Sequence, residues 1–309
     1  MIAAALRALF LWLGNRRWMA RIALGTPLLR RMPLRFVAGT SLDRAVDAVR
    51  AINASGASVT LDVLGESVVD RAAAVRAAAS YVETIERIAA ERLDANVSIK
   101  LTQMGLDLGV EECLAVMAPI VSAGDRHGVF IRIDMESAAY TDRTLEVVDR
   151  LRRDGHDVGP VIQSYLHRSP ADVERLATEC VRTRICKGAY AESPEVAHQD
   201  RVAIGDAFVR LCEELLRADA YPGIATHDPE MIDRLAAFVR EHDIGRDRFE
   251  FQMLYGVRRD LQRQLVEKGY RLRVYVPYGT EWYRYFMRRL AERPANVLFV
   301  LRSIFSERS

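Results

Sequence analysis

Residues 97–137 read VSIKLTQMGLDLGVEECLAVMAPIVSAGDRHGVFIRIDMES. A β-rich run, Val97–Leu101, leads into an amphipathic run, Glu111–Ala123, and a second β-rich run, Val129–Asp134, follows. This is a strand–helix–strand unit with a charged side chain, Lys100 or Asp134, near the end of each strand. The same rhythm extends both ways. Val59–Leu64 and the helical stretch Val68–Arg92 precede it. Strand candidates Val158–Tyr165, Arg182–Lys187, Ile224–Thr226, Phe249–Leu254 and Arg273–Val276 come after it. Between them the spacing predicts helices over Asp142–Arg153, Ala171–Glu179, Glu195–Arg217, Pro229–Glu241 and Arg258–Lys268, and a last one over Glu281–Glu292. Strand starts lie roughly 24 to 40 residues apart, the length of a βα unit. Eight such units over about 240 residues predict an α/β fold of the (β/α)8 TIM barrel type. A doubly wound sheet is the competing architecture, and eight regular units speak against it.

The chain has 309 residues, half of them hydrophobic and 28% charged, enough for one large domain. A net charge of +2 makes no case for nucleic acid. Cys113, Cys180, Cys186 and Cys212 form no CxxC pair and no metal-ligand spacing, which fits a reducing, cytoplasmic compartment. Cys186 falls in a predicted strand and reads as a small core residue. The first 42 residues differ from the rest, with seven Arg and no acid before Asp43. Ala8–Leu13 is too short to span a bilayer, which takes about 20 apolar residues. Residues 1–57 are therefore expected to form an N-terminal helical arm packed on a barrel of residues 58–309, a single domain overall. The arm's basic, Trp-bearing surface also suits peripheral contact with anionic lipid on the inner face of the cytoplasmic membrane.

In a (β/α)8 barrel the C-terminal strand ends face the active site. Here each strand carries polar groups at or near that end: Asp62 with Glu66, Lys100, Asp134, Gln163 with Tyr165, Arg184 with Lys187 and Tyr190, Thr226 with His227, Gln252, and Tyr275. Singly these residues stay ambiguous. Lys100 reads as a snorkelling side chain, a Schiff-base nucleophile or an anion contact. Asp134 reads equally as a helix cap. Arg184 and Lys187 are three apart and so point to opposite faces of a regular strand. His227 reads as a hydrogen-bonded core residue, and Tyr275 as barrel packing with its hydroxyl satisfied. Together the cations promise a mouth that attracts an anion. No His/Cys metal set, GxSxG elbow, GxGxxG turn or GxxxxGK[ST] loop is present, so no metal site is expected.

Near the C-terminus Tyr285, Arg288, Arg289 and Glu292 fall at i, i+3, i+4 and i+7, on one helix face. Trp282, Phe286 and Leu290 form an apolar stripe beside it that can pack the helix down. Two adjacent guanidiniums suit bidentate capture of a carboxylate.

These pieces resemble proline dehydrogenases of the short, monofunctional bacterial type. The motifs that carry the resemblance run in order: LDVLGE at 61–66, SIKL at 98–101, RIDMES at 132–137, VIQSY at 161–165, RICKGAY at 184–190, ATHD at 225–228, FQMLYG at 251–256, RVYVPYG at 273–279 and YFMRRLAE at 285–292. The last is the most specific. The resemblance implies a distorted barrel with its last helix over the mouth, holding FAD non-covalently. It implies oxidation of L-proline to Δ1-pyrroline-5-carboxylate, with electrons passed to a membrane quinone. Arg288, Arg289 and Lys100 would bind the proline carboxylate. Tyr275 and Tyr285 would wall the ring, and Glu292 would orient an Arg. Asp134 would tie the catalytic groups together, with Arg184 beside the flavin. Gln163 would bond the flavin ring system. Met135, Lys187, Gly188, Ala189, Thr226 and His227 would complete the cofactor site. Ala191 stands where long bifunctional relatives carry an aromatic residue. The product would pass to a separate pyrroline-5-carboxylate dehydrogenase. The rival reading is a lysine-dependent aldolase-type barrel working through Lys100 or Lys187.

Overall fold

A computed structural model describes residues 36–65, 68, 70–283, 285 and 287. Helix α1 (Leu42–Ala54) opens this part, and eight parallel strands follow: β1 (Ser58–Val63), β2 (Ala95–Lys100), β3 (Ile131–Asp134), β4 (Val158–Gln163), β5 (Arg184–Cys186), β6 (Gly223–Ala225), β7 (Glu250–Leu254) and β8 (Leu272–Tyr278). They close in sequence order, with β8 paired to β1 from Ser58↔Arg273 to Val63↔Tyr278. The crossover helices are α2 (Arg71–Ala90), α3 (Val110–His127), α4 (Thr141–Arg153), α5 (Ser169–Thr178), α6 (Arg201–Arg217), α7 (Pro229–Glu241) and α8 (Arg259–Glu267). The predicted α/β barrel is the fold.

Local chemistry sets the helix starts. Asp70 accepts from the Ala73 amide at 2.8 Å to cap α2, and Asp200 does the same for α6 through Ala203. The Asp200 cap explains why α6 begins at Arg201, six residues after the predicted start at Glu195. The stretch before it folds back instead, and Ala197 bridges Leu166. Asp228 caps α7, with Pro229 filling the first-turn position that needs no amide hydrogen.

Strand alternation divides the barrel sharply. Val59, Leu61, Val97, Ile99, Ile131, Ile133, Ile185, Ile224, Phe251, Val274 and Val276 are all buried in the main hydrophobic core. The intervening positions are polar and are joined to one another by register: Thr60↔Asn96, Ser98↔Arg132, Lys100↔Asp134, Gln252↔Arg273 and Thr60↔Tyr275. Barrel interiors are ordinarily filled by Val, Ile and Leu; this one is filled largely by hydrogen-bonded polar side chains. Helix α1 packs on both β1 and β8, covering the seam where the sheet closes. Just before it, the Ala38 amide bonds the Pro277 carbonyl at 2.9 Å. α1 thus occupies the place that a regular barrel gives to the helix after β8.

Candidate active site

The polar column culminates in Asp134, the last residue of β3. Its Oδ1 accepts from the Ser98 hydroxyl at 2.5 Å and Arg184 Nη1 at 2.8 Å. Its Oδ2 accepts from the Tyr275 hydroxyl at 2.7 Å and lies 3.5 Å from Lys100 Nζ. Burial alone would raise the Asp134 carboxyl. The charges of Lys100 and Arg184, with the Ser98 and Tyr275 hydrogen bonds, outweigh it and hold the carboxyl below its usual value. Tyr275 moves the other way: burial, then the Asp134 and Asp62 charges, raise its phenol well above the ordinary value. Its ring also lies under the Arg184 guanidinium, 5.2 Å from centroid to Cζ.

Lys100 Nζ donates to Asp62 Oδ1 at 2.9 Å and to the Tyr275 hydroxyl at 3.3 Å. Asp62 is 1% exposed, and its Oδ2 is buried without a hydrogen-bond partner among the described residues. Arg184 points into the barrel from β5. Lys187 lies beyond the end of that strand, which stops at Cys186, and pairs with Asp228 at 3.0 Å. Of the cations expected at the mouth, Lys100, Arg184 and Lys187 each meet a carboxylate. Arg288, Arg289, Glu66 and Glu292 lie outside the described residues. Tyr285 and Trp282, on the last predicted helix, are each 6% exposed.

The proposed cofactor residues fall at the ends of β3 to β6. Met135 is buried just past Asp134. The Gln163 amide donates to the Glu136 carbonyl at 2.8 Å. Gly188 has φ +110°, and a Cβ there would come within 2.3 Å of the Tyr165 ring, so only glycine fits. Ala189 follows it. The Thr226 hydroxyl accepts from the Asp228 amide at 3.1 Å. His227 Nε2 accepts from the Leu254 amide at 2.9 Å, which places the proton of a neutral ring on Nδ1. Cys186, pushed up to about 11 mainly by burial, stays a protonated thiol packed against the core. Among the described residues, no group of three or more His, Cys, Asp or Glu is placed to hold a metal ion.

Two partners escaped the sequence reading. Ser98, two residues before Lys100, shares its interior face by simple alternation, but nothing local marks it as the Asp134 donor. Glu136, raised above its ordinary value by burial, holds the Thr102 hydroxyl at 2.8 Å and offers its carbonyl to Gln163.

Residues 45–302 match the family model described as Proline dehydrogenase. The chain is 40% identical to Proline dehydrogenase 1 of Bacillus subtilis over 304 residues, covering 98% of this chain and 100% of that one. It is 42% identical to Proline dehydrogenase of Deinococcus radiodurans over 275 residues, covering 87% and 89%. Among solved structures, proline utilization A from Bdellovibrio bacteriovorus, inactivated by N-propargylglycine, superposes with a TM-score of 0.80 at 25% identity. That match covers 85% of this chain but only 32% of the other, so the chain spans about a third of that larger protein. A barrel with this polar interior, matched over nearly its whole length by these relatives, belongs to the proline dehydrogenase family.

Proposed function

We propose that this chain catalyses the first step of proline catabolism, oxidising L-proline to Δ1-pyrroline-5-carboxylate with non-covalently bound FAD. Its electrons leave to a membrane quinone. The observation that carries the reading is the Asp134 junction, where one buried carboxylate fixes Arg184, Tyr275, Ser98 and Lys100 at the mouth of the barrel.

The residues present fit a flavin. Gly188 leaves bare backbone beside the half-exposed Lys187–Asp228 pair. Arg184 Nη2 has no protein acceptor among the described residues. These donors suit a phosphate-bearing group with a planar ring. When bound, FAD supplies the acceptor for the hydride and its electron pair. Arg184 and Gln163 would hold its ring system. Met135, Lys187, Gly188, Ala189, Thr226 and His227 would hold the remainder.

The chain's own contribution is positioning and electrostatics. Arg288 and Arg289 grip the proline carboxylate, with Lys100 as the third cation and Glu292 orienting a guanidinium. Tyr275 and Tyr285 wall the pyrrolidine ring. Asp134, kept ionised by its four partners, holds Tyr275 as a protonated phenol and Arg184 as a fixed cation. The aldolase reading loses ground because Lys100 lies within 3.5 Å of two carboxylates, which stabilise an ammonium, whereas a Schiff base needs the free amine. The basic N-terminal arm would bring the enzyme to an anionic membrane, and the product would pass to a separate pyrroline-5-carboxylate dehydrogenase.

Purified protein should show a flavin absorption spectrum that L-proline bleaches in the absence of oxygen. A colourless protein that binds no added FAD, or a flavin that proline leaves oxidised, would overturn the proposal.

A further inference from the structure

Beneath Arg184 the polar column continues in one direction. Arg184 Nε donates to Gln252 Oε1. Gln252 Nε2 donates to Glu250 Oε1 at 2.6 Å, and Arg273 Nε donates to the same oxygen at 2.7 Å. Arg273 Nη1 ends the chain on the Val59 carbonyl at 2.8 Å. Gln252 and Glu250 are each 4% exposed and Arg184 is 6% exposed. Arginine has only donors and an ionised carboxylate only acceptors, so the Gln252 amide has one workable orientation between them.

Space for this amide is made by glycine. Gly223 on β6 stands in register with Glu250, and a Cβ there would come within 2.5 Å of Gln252 Nε2. Buried ion pairs of this kind contribute little net stability against apolar packing of equal volume. A column that is costly to bury, and whose upper end is the guanidinium bonded to Asp134, is better explained by what it does to that guanidinium.

We propose that Gln252, backed by Glu250 and Arg273, is the positioning residue for Arg184. Asp134 fixes one side of the guanidinium through Nη1 and Gln252 fixes the other through Nε, so the plane cannot rotate. Nη2 is then delivered in a single direction. Gln252 touches neither substrate nor cofactor; it acts through Arg184. The inference rests on the functional reading above and goes beyond it.

Three variants test it: Gln252→Met, which keeps the volume but removes the acceptor; Gly223→Ala, which displaces the amide while leaving Gln252 in place; and the exchange Glu250→Gln with Gln252→Glu. The exchange preserves net charge and rebuilds every bond, since Arg273 can donate to Gln at 250, that amide to Glu at 252, and Arg184 to the same carboxylate. Holoenzyme kinetics with L-proline, the FAD dissociation constant and apoprotein thermal midpoints are measured together. Gln252→Met and Gly223→Ala should each lower kcat about tenfold or more, with KM changed less than about threefold and FAD bound about fivefold more weakly. The exchange should recover most of both losses. Combined with Arg184→Ala, Gln252→Met should cost almost nothing further.

Unchanged kcat in both single variants, losses that add to those of Arg184→Ala, or an exchange variant as poor as Gln252→Met would overturn the proposal. If Gln252→Met does not fold, Gly223→Ala and the exchange decide it alone. A wild-type chain that binds no FAD would instead sink the functional reading, which separates the two failures.

Discussion

The Tyr275 hydroxyl, on β8, donates to Asp134 Oδ2, on β3, at 2.7 Å across the open end of the barrel. These strands are separated by β1 and β2, so the bond spans the interior rather than running along the wall. Tyr275→Phe removes the donor and little volume. A hydrogen bond to a charged group contributes about 1.5–3 kcal/mol. Steady-state turnover of L-proline should therefore show kcat/KM reduced roughly 10- to 100-fold, with the thermal midpoint changed by a few degrees at most. An unchanged kcat/KM would reduce Tyr275 to packing.

Lys100 lies among Asp62, Asp134 and Tyr275. Lys100→Met leaves two buried carboxylates without their shared cation and should cost about 3–5 kcal/mol of stability, the usual penalty for breaking a buried pair. Adding Asp62→Asn should return a large part of that loss, because Asp62 is the more deeply buried acid. Urea titrations of the single and double variants measure the coupling directly. Additive losses would mean that the two residues do not depend on each other.

Acid should destabilise the fold through Asp134 and Glu250. Burial pushes the Glu250 carboxyl up, but Arg273 and the amide of Gln252 outweigh it, so this carboxyl, like that of Asp134, lies below its ordinary value. A depressed carboxyl binds fewer protons folded than unfolded. Its stabilisation is complete above the ordinary values of 3.8 for Asp134 and 4.5 for Glu250, and is lost as pH falls through the lower folded values. Glu136, raised by burial, works in the opposite sense. Urea midpoints should therefore drop steeply below about pH 4. Asp134→Asn should lower stability at neutral pH and flatten the acid limb; an unaltered limb would assign acid lability elsewhere.

Gly188→Ala confronts a φ of +110° and the flat ring of Tyr165 at once. A ring cannot yield as a flexible chain end does, so the backbone after β5 must shift. FAD retention should fall, as judged by the ratio of flavin to protein absorbance after gel filtration, while far-ultraviolet circular dichroism keeps the barrel signature. A local cost of about 1–3 kcal/mol is expected. Full flavin occupancy would remove Gly188 from the cofactor site.

Removal of residues 1–35 tests the arm. Sedimentation with vesicles containing anionic lipid should fall several-fold, and raised salt should release the full-length chain in the same way. Equal sedimentation of both forms would leave the seven arginines without a lipid role.

Much of the barrel was legible because β-branched runs recur at βα spacing, and α7 lies at the predicted Pro229–Glu241. Strand-end polarity was also legible: Lys100, Asp134, Gln163, Gln252 and Tyr275 all fall on the strands expected for them. The pairings were not legible, since Lys100–Asp62 and Arg184–Asp134 join residues 38 and 50 positions apart, chosen by barrel closure rather than by local pattern. The same closure gave Lys100, Arg184 and Lys187 each a carboxylate partner. β5 came out shorter than predicted at both ends: it begins at Arg184 rather than Arg182, and it stops at Cys186 before the glycine of KGAY, which lies against Tyr165. The proposed roles of Arg288, Arg289 and Glu292 still rest on the resemblance, as those residues lie outside the described part of the chain.

Because α1 packs on both β1 and β8, the closing of the barrel wall leans on a segment that precedes its first strand. One helix thus braces the first and last strands at once, and loosening it would free both edges of the closed sheet together.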